Sequence, residues 1–263
     1  MLFAVALVVA FAVQQFVGVD RHGATVSTLT IDSKAVGRPL PTTVVVPGAQ
    51  PEGRRPLLVF LHGRGGNETS ELDDAFYSAL AAQGSRAPVV AFPYGGDHSY
   101  WHDRADGRWG TYVVREVIPR VVERFHADPR RVAIGGISMG GFGAYDIARL
   151  NPARFCAVAG HSPALWRAGG ETAPRAFDDA EDFARHDVIA SAQANPDAFG
   201  GARLWLDAGD KDPFRPGDEA LTQALRPRVT AHTWPGGHDG DYWNAHWPDY
   251  ARFYAGALAN CRP

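Results

Sequence analysis

Excess charge is missing from this 263-residue sequence. Lysine and arginine number 26 against 29 aspartates and glutamates, giving a net charge of -3 and a pI near 6.4. That balance removes the electrostatic grounds for binding nucleic acid or for a polybasic membrane contact. Internal repeats and low-complexity segments are also missing, so a repeat array is excluded. Cysteine is scarce: Cys156 and Cys261 are the only two, enough for one disulfide. No cluster with metal-ligand spacing accompanies His62, so it reads as a structural histidine rather than a metal ligand.

What is present is ordinary for a globular protein: 45% hydrophobic and 21% charged residues. This length can bury one sizeable core, and α/β chains of this size are often one domain. The first residues differ. Met1 to Val19 carries no charge, and Leu2 to Val13 is unbroken apolar sequence. The stretch resembles the core of a secretory signal, with Ala10-Phe11-Ala12 as a small-x-small cleavage site. A basic segment before it is absent, and Gln14 and Gln15 make it marginal for crossing a bilayer. Residues 1–19 are therefore expected to be a signal-like or membrane-anchor segment, with a buried first strand or helix as the competing reading. Residues 24–263 form a single domain in this reading, extracytoplasmic and taken as a monomer. Membrane association, if any, would run through residues 1–19.

Alternation of apolar runs with helical spacing predicts the rest. Strands are expected at Ala24–Ile31, Thr42–Val46, Leu57–Leu61, Pro88–Phe92, Arg131–Gly135, Phe155–Ala159, Arg203–Asp207 and Val229–Trp234. Helices are expected near Ser70–Gln83, across Val113 to Phe125 with a kink or break at Pro119, and at Met139–Leu150, Asp218–Leu225 and Tyr242–Leu258. Residues 93–110 read as a long loop, and 169–201 as an irregular region. Such alternation implies an α/β fold: a mostly parallel central sheet with helices on both faces. Its ligands bind beyond the carboxyl ends of the strands.

The chemistry concentrates in Gly136-Ile137-Ser138-Met139-Gly140. This G-x-S-x-G pattern follows a buried strand and opens a helix, the context of a nucleophile elbow. Glycine is abundant here, so the flanks decide. A serine hydroxyl becomes nucleophilic only when an imidazole takes its proton, and a carboxylate must orient that imidazole. In the elbow folds the order is serine, acid, histidine. After the strand at Arg203, Asp210 and Asp212 compete as the acid; Asp212, which has cleared the strand tip, is preferred. His238 in the loop Pro235–Gly240 is the expected base, and His246 falls within a helix. The expected oxyanion donors are the N–H groups of Met139 and Arg64. Tyr94, Trp101 and Trp166 are candidates for binding substrate, with Tyr100 and Trp109 as further aromatic neighbours.

Four segments together, Leu61-His62-Gly63-x-Gly65-Gly66, Glu116-Val117-Ile118-Pro119, Gly136-Ile137-Ser138-Met139-Gly140-Gly141 and Gly237-His238-x-x-x-Tyr242-Trp243, resemble the esterase D-type family. That family includes feruloyl and acetylxylan esterases, S-formylglutathione hydrolases and mycolyltransferases. The resemblance runs from about residue 40 to 258. It implies an α/β-hydrolase fold, a triad of Ser138, Asp212 and His238, and no metal or organic cofactor. The leading expectation is a serine carboxylesterase acting on a small-molecule or carbohydrate-linked ester through an acyl-enzyme. An acyltransferase using the same triad, and a non-enzymatic binding protein on the same scaffold, are the alternatives. Both cysteines are expected at the face opposite the site, where a Cys156–Cys261 disulfide and two separate buried thiols are equally open.

Overall fold

A computed structural model describes residues 18–261 apart from Gln50 and Glu52, so nearly all of the apolar segment at 1–19 lies outside the described residues. Eight strands form one sheet in the order β1-β2-β4-β3-β7-β8-β9-β10. They are β1 (Thr25–Ser33), β2 (Arg38–Val46), β3 (Leu57–Leu61), β4 (Val89–Pro93), β7 (Val132–Ile137), β8 (Ala157–His161), β9 (Arg203–Gly209) and β10 (Val229–Trp234). A separate two-stranded ribbon, β5 (Asp103–Arg104) and β6 (Gly107–Arg108), sits in the loop after β4. Only β2 runs against its neighbours; β4, β3 and β7 through β10 are parallel.

Central strands show why the sheet is the core. Every residue of β3 (Leu-Leu-Val-Phe-Leu) is buried, as a strand covered on both faces requires. Leu58 and Phe60 face a layer that includes α1 (Asp74–Ala81) and α8 (Gly240–Ala259). Val59 and Leu61 face the other, which includes α3 (Ile118–Phe125), α4 (Met139–Leu150), α6 (Val188–Ala194) and α7 (Arg215–Leu225). Two short helices, α2 (Trp109–Tyr112) and α5 (Ala180–Arg185), complete the set. The architecture is the one expected of an α/β-hydrolase.

Local chemistry explains where the boundaries differ from the expected ones. Asp73 caps α1 by accepting from the Phe76 N–H at 2.9 Å, so that helix starts later than Ser70. β2 includes Arg38 and Pro39, because the turn is already complete at Gly37, whose φ is +78°. Pro119 has no N–H to give the preceding turn. The helix absorbs that loss as a π segment over Val113–Val117 before α3 resumes at Ile118. The region 169–201, expected to be irregular, holds α5 and α6, started by Asp179 and Asp187 as side-chain caps. Cys156 and Cys261 are joined in a disulfide that ties the entry to β8 to the end of α8, opposite the site described next. Among the described residues no helix is long and apolar enough to cross a membrane.

Candidate active site

The elbow is a forced turn. β7 is buried throughout, and Ser138 leaves it at φ 54°, ψ -115° before α4 begins at Met139. A non-glycine residue in this region stores about 1–3 kcal/mol of strain, so surrounding bonds must hold it. The Ser138 N–H donates to the His161 carbonyl at 3.0 Å, and the Ser138 carbonyl accepts from Phe142 and Ala164, each at 3.0 Å. A Cβ on Gly136 or Gly140 would collide with the Leu61 carbonyl oxygen, so neither position admits a side chain without moving β3.

Two later loops reach the hydroxyl. His238, between β10 and α8, places Nε2 2.8 Å from Ser138 Oγ and Nδ1 2.8 Å from Asp212 Oδ2. The carboxylate fixes a proton on Nδ1 and so leaves Nε2 free to accept from the serine. Asp212 is 5% exposed, and its other oxygen accepts from the Phe214 N–H at 2.7 Å. Asp210 turns elsewhere: its Oδ1 accepts from the Gly236 N–H at 3.0 Å, bracing the histidine loop. His246 stacks on Trp234 at 4.0 Å, outside this chain of bonds.

The loop after β3 lies against the serine. Gly65 donates to the Asp97 carbonyl and Gly66 to the Gly63 carbonyl, both at 3.0 Å, whereas the Arg64 N–H has no backbone partner among the described residues. Met139, first in α4, carries an N–H that no preceding turn can satisfy. His62 holds this loop in place. It accepts from the Gly95 N–H at Nε2 (2.9 Å) and donates from Nδ1 to the Gly63 carbonyl (2.8 Å). Burial pushes its pKa down to about 4, so it is neutral at ordinary pH.

Above Ser138 opens a cavity of about 790 Å³, walled by Gly63–Gly66, Ser70, Glu71, Asp73, Tyr100, Ala173, Phe214, Trp243 and Asn244. None of Tyr94, Trp101 and Trp166, expected to bind substrate, lines it. Trp101 is wholly buried, wedged between Gly95 and Gly143, and donates to the His62 carbonyl at 3.2 Å. Tyr94 packs beside His62, ring centres 5.9 Å apart. Trp166 stands behind the wall, 5.4 Å from Tyr100 and 5.6 Å from Phe214. Trp109 is buried in the core as well. Of the aromatic loop, Tyr100 alone reaches the cavity. Tyr100 and Trp101 are consecutive residues at φ 49° and 60°, a turn that sends one ring to the cavity and the other inward. Phe214 and Trp243, absent from the expected binding residues, flank the His238 ring at 4.9 and 5.1 Å. Trp243 carried a signal in sequence, since it lies within the Gly237–Trp243 motif.

Beneath the serine lies a buried polar network of which only Tyr242 belongs to a sequence motif. Asp207, wholly buried at the end of β9, accepts from His161 Nδ1 and Trp205 Nε1 at 2.7 Å and from the Tyr242 and Tyr250 hydroxyls at 2.9 Å. The Tyr254 hydroxyl reaches His161 Nε2 at 2.9 Å. With four donors the carboxylate recovers what burial takes from it. Burial, and then the neighbouring Asp207 charge, raise the Tyr242, Tyr250 and Tyr254 pKa values above the ordinary phenol value, keeping all three as donors. Because His161 also holds the Ser138 N–H, this network anchors the elbow to α8.

Residues 33–254 match the family described as "Putative esterase". The chain is 24% identical over 276 residues to the S-formylglutathione hydrolase of Paracoccus denitrificans (strain Pd 1222), covering 92% of this chain and 93% of that protein. It superposes on an S-formylglutathione hydrolase from Agrobacterium tumefaciens with a TM-score of 0.77 at 18% identity, over 90% of this chain and 96% of the other. A ferulic acid esterase gives a TM-score of 0.76 at 20% identity, over 90% and 98%. The chain therefore belongs to this esterase family, the α/β-hydrolase-fold serine hydrolases that act on ester bonds.

Proposed function

We propose that the chain is a carboxylesterase in which Ser138 is the nucleophile, His238 the general base and acid, and Asp212 the group that orients His238. The unbroken hydrogen-bonded chain Asp212–His238–Ser138, with both links at 2.8 Å, is the observation that carries this reading. Ser138 Oγ attacks the ester carbonyl as its proton passes to His238 Nε2. The resulting oxyanion is received by the N–H groups of Met139 and Arg64; losing one such donor costs about 3 kcal/mol of transition-state stabilisation. Collapse expels the alcohol, which takes the proton from His238 and leaves an acyl group on Ser138. Water, deprotonated by His238, then attacks the acyl-enzyme, and Ser138 departs with the proton returned to Oγ.

Tyr100, Phe214 and Trp243 give the cavity an apolar aromatic side, and Ser70, Glu71, Asp73 and Asn244 a polar one. We read this as a site for an ester joining a compact or aromatic acyl group to a polar, sugar-like alcohol. The likeness in fold to a protein described as a ferulic acid esterase accords with it. The enzyme is read as exported: the Cys156–Cys261 disulfide suits an oxidising compartment, and intact masses under reducing and non-reducing conditions test its presence.

The test of the activity is turnover of p-nitrophenyl esters of increasing length, beside feruloyl and acetylated sugar esters, with and without added alcohol acceptors. Release of free acid regardless of acceptor supports hydrolysis, and acyl transfer to the acceptor in preference to water would make the chain an acyltransferase. Failure of a fluorophosphonate to label the wild type, or equal labelling of Ser138→Ala, would defeat the serine-nucleophile reading altogether.

A further inference from the structure

Away from Ser138, a second group of coordinating side chains is buried where the loop after β4 meets α4 and α5. One ring nitrogen of His102, one of His186 and a carboxylate oxygen of Asp182 all lie within 4.8 Å of one another. Asp182 lies in α5, and His186 follows four residues later, so the two share one side of the turn. His102 comes from 80 residues earlier. That separation hides the cluster from any reading of ligand spacing, which is why the sequence alone gave no reason to expect a metal.

The hydrogen bonds leave one coordinating lone pair unused, on His186, and a second, one proton shift away, on His102. His186 Nδ1 donates to Asp146 Oδ2 at 2.8 Å, which fixes its Nε2 as an unprotonated nitrogen. That Nε2 faces Asp182 Oδ1 at 3.8 Å, too far for a hydrogen bond and with acceptor opposite acceptor. His102 Nε2 lies 3.0 Å from Asp182 Oδ2, a hydrogen bond that a cation would replace, the ring proton then resting on the buried Nδ1, which has no partner among the described residues. His186, whose second nitrogen is held by the Asp146 carboxylate, has the arrangement of a metal-bound histidine.

Two imidazoles and one carboxylate, out of water, are a donor set for zinc and similar borderline cations. Bonds of about 2.0–2.2 Å would set tetrahedral ligand atoms about 3.3–3.6 Å apart, a closure within reach of small side-chain rotations. The nearby charges leave room for it. Arg149 neutralises the outer Asp146 from 2.5 Å. Arg185 touches Asp182 Oδ1 at 3.1 Å from a largely exposed side chain that can withdraw into water. Of the three, His102 borders a cavity of about 200 Å³, lined also by Asp146, Asp103, Thr111 and Asn151, which offers an entry path and space for a solvent ligand.

We propose that His102, Asp182 and His186 form a divalent metal site of the zinc class, completed by water from the adjoining cavity. The ion would join the loop after β4, α5 and, through Asp146, α4. Tyr100 in the active-site wall lies two residues before His102, so the site holds that wall without touching the reacting atoms.

The test uses the full chain, stripped with a chelator and titrated with Co²⁺ and then Zn²⁺. The expected result is one equivalent of Co²⁺ with visible absorption bands of tetrahedral intensity, displaced by Zn²⁺. Tm should rise by roughly 5–10 °C at about a hundredfold excess over Kd. His102→Gln and His186→Gln should lose the bands, whereas His22→Gln, on the surface, should keep them. If either cluster variant fails to fold, Asp146→Asn decides, because loosening a carboxylate that orients a ligand should weaken Co²⁺ affinity about 10–100-fold. A wild-type chain with no bands and no Tm shift would overturn the proposal. So would bands that survive in folded His186→Gln, or unchanged affinity in Asp146→Asn.

Discussion

The elbow and the aromatic wall face each other across one cavity, yet they are built on opposite principles. At the elbow, backbone geometry decides everything. Ser138 is held at an unfavourable φ by three main-chain hydrogen bonds, and glycines clear the space around it. In the wall, side-chain packing decides. Neighbouring Tyr100 and Trp101 are chemically similar, but one faces the cavity and the other is wedged between Gly95 of its own loop and Gly143 of α4. Position along the chain therefore specifies role at the elbow, and long-range contacts specify it in the wall.

Mutation should sharpen that contrast. Ser138→Ala is expected to lower kcat about 10⁵–10⁶-fold with little change in KM for a slowly turned-over ester. A smaller loss, measured with p-nitrophenyl acetate, would mean that another nucleophile operates. Asp212→Asn should cost about 10³–10⁴-fold in kcat/KM, because the amide cannot impose the same imidazole tautomer. Asp210→Asn, which keeps an oxygen for the Gly236 N–H, should cost less than about tenfold. Reversed magnitudes would assign the acid to Asp210.

In the wall, the same type of substitution should split into two outcomes. Trp101→Ala is expected to destabilise the fold by about 3–5 kcal/mol in urea denaturation, since its ring is wholly buried. Trp243→Ala, on the cavity, should leave stability nearly intact and raise KM for aromatic esters about tenfold. If Trp101→Ala instead changes KM alone, the division between packing and lining residues fails.

The smallest expected effect concerns Glu71. Burial, reinforced by the charge of Asp73, pushes its pKa up to about 7. A folded-state pKa above the unfolded value of 4.5 gives stability that is complete below pH 4.5 and is lost as pH rises through 7. Glu71→Gln should reduce the fall in Tm between pH 5 and pH 8 by about 5 °C. An identical fall in both proteins would show that Glu71 ionises freely.

The same contrast explains what could be read in advance. The sheet, the elbow and the histidine loop follow from apolar runs, glycines and chain order, all of which are local. That Asp212 rather than Asp210 meets His238 was inferable because one carboxyl clears the strand tip by two more residues. Trp101 and Trp166 misled because a tryptophan in a loop near a site has the same local signature whether it faces a cavity or fills a gap. Asp207 and His161 were invisible for a related reason. Their partners Tyr242, Tyr250 and Tyr254 stand 35 to 93 residues away, and only the packing of α8 on the sheet brings them together.

The central claim is that Ser138 carries the acyl group between the two halves of the reaction. Its most direct test is acid quenching of the wild-type chain during turnover of a slow ester, followed by peptide mass mapping. The account predicts one acyl adduct, on the peptide containing Ser138, that disappears as substrate is exhausted. An adduct on any other residue, or turnover with no adduct under conditions where deacylation is shown to be slow, would contradict it.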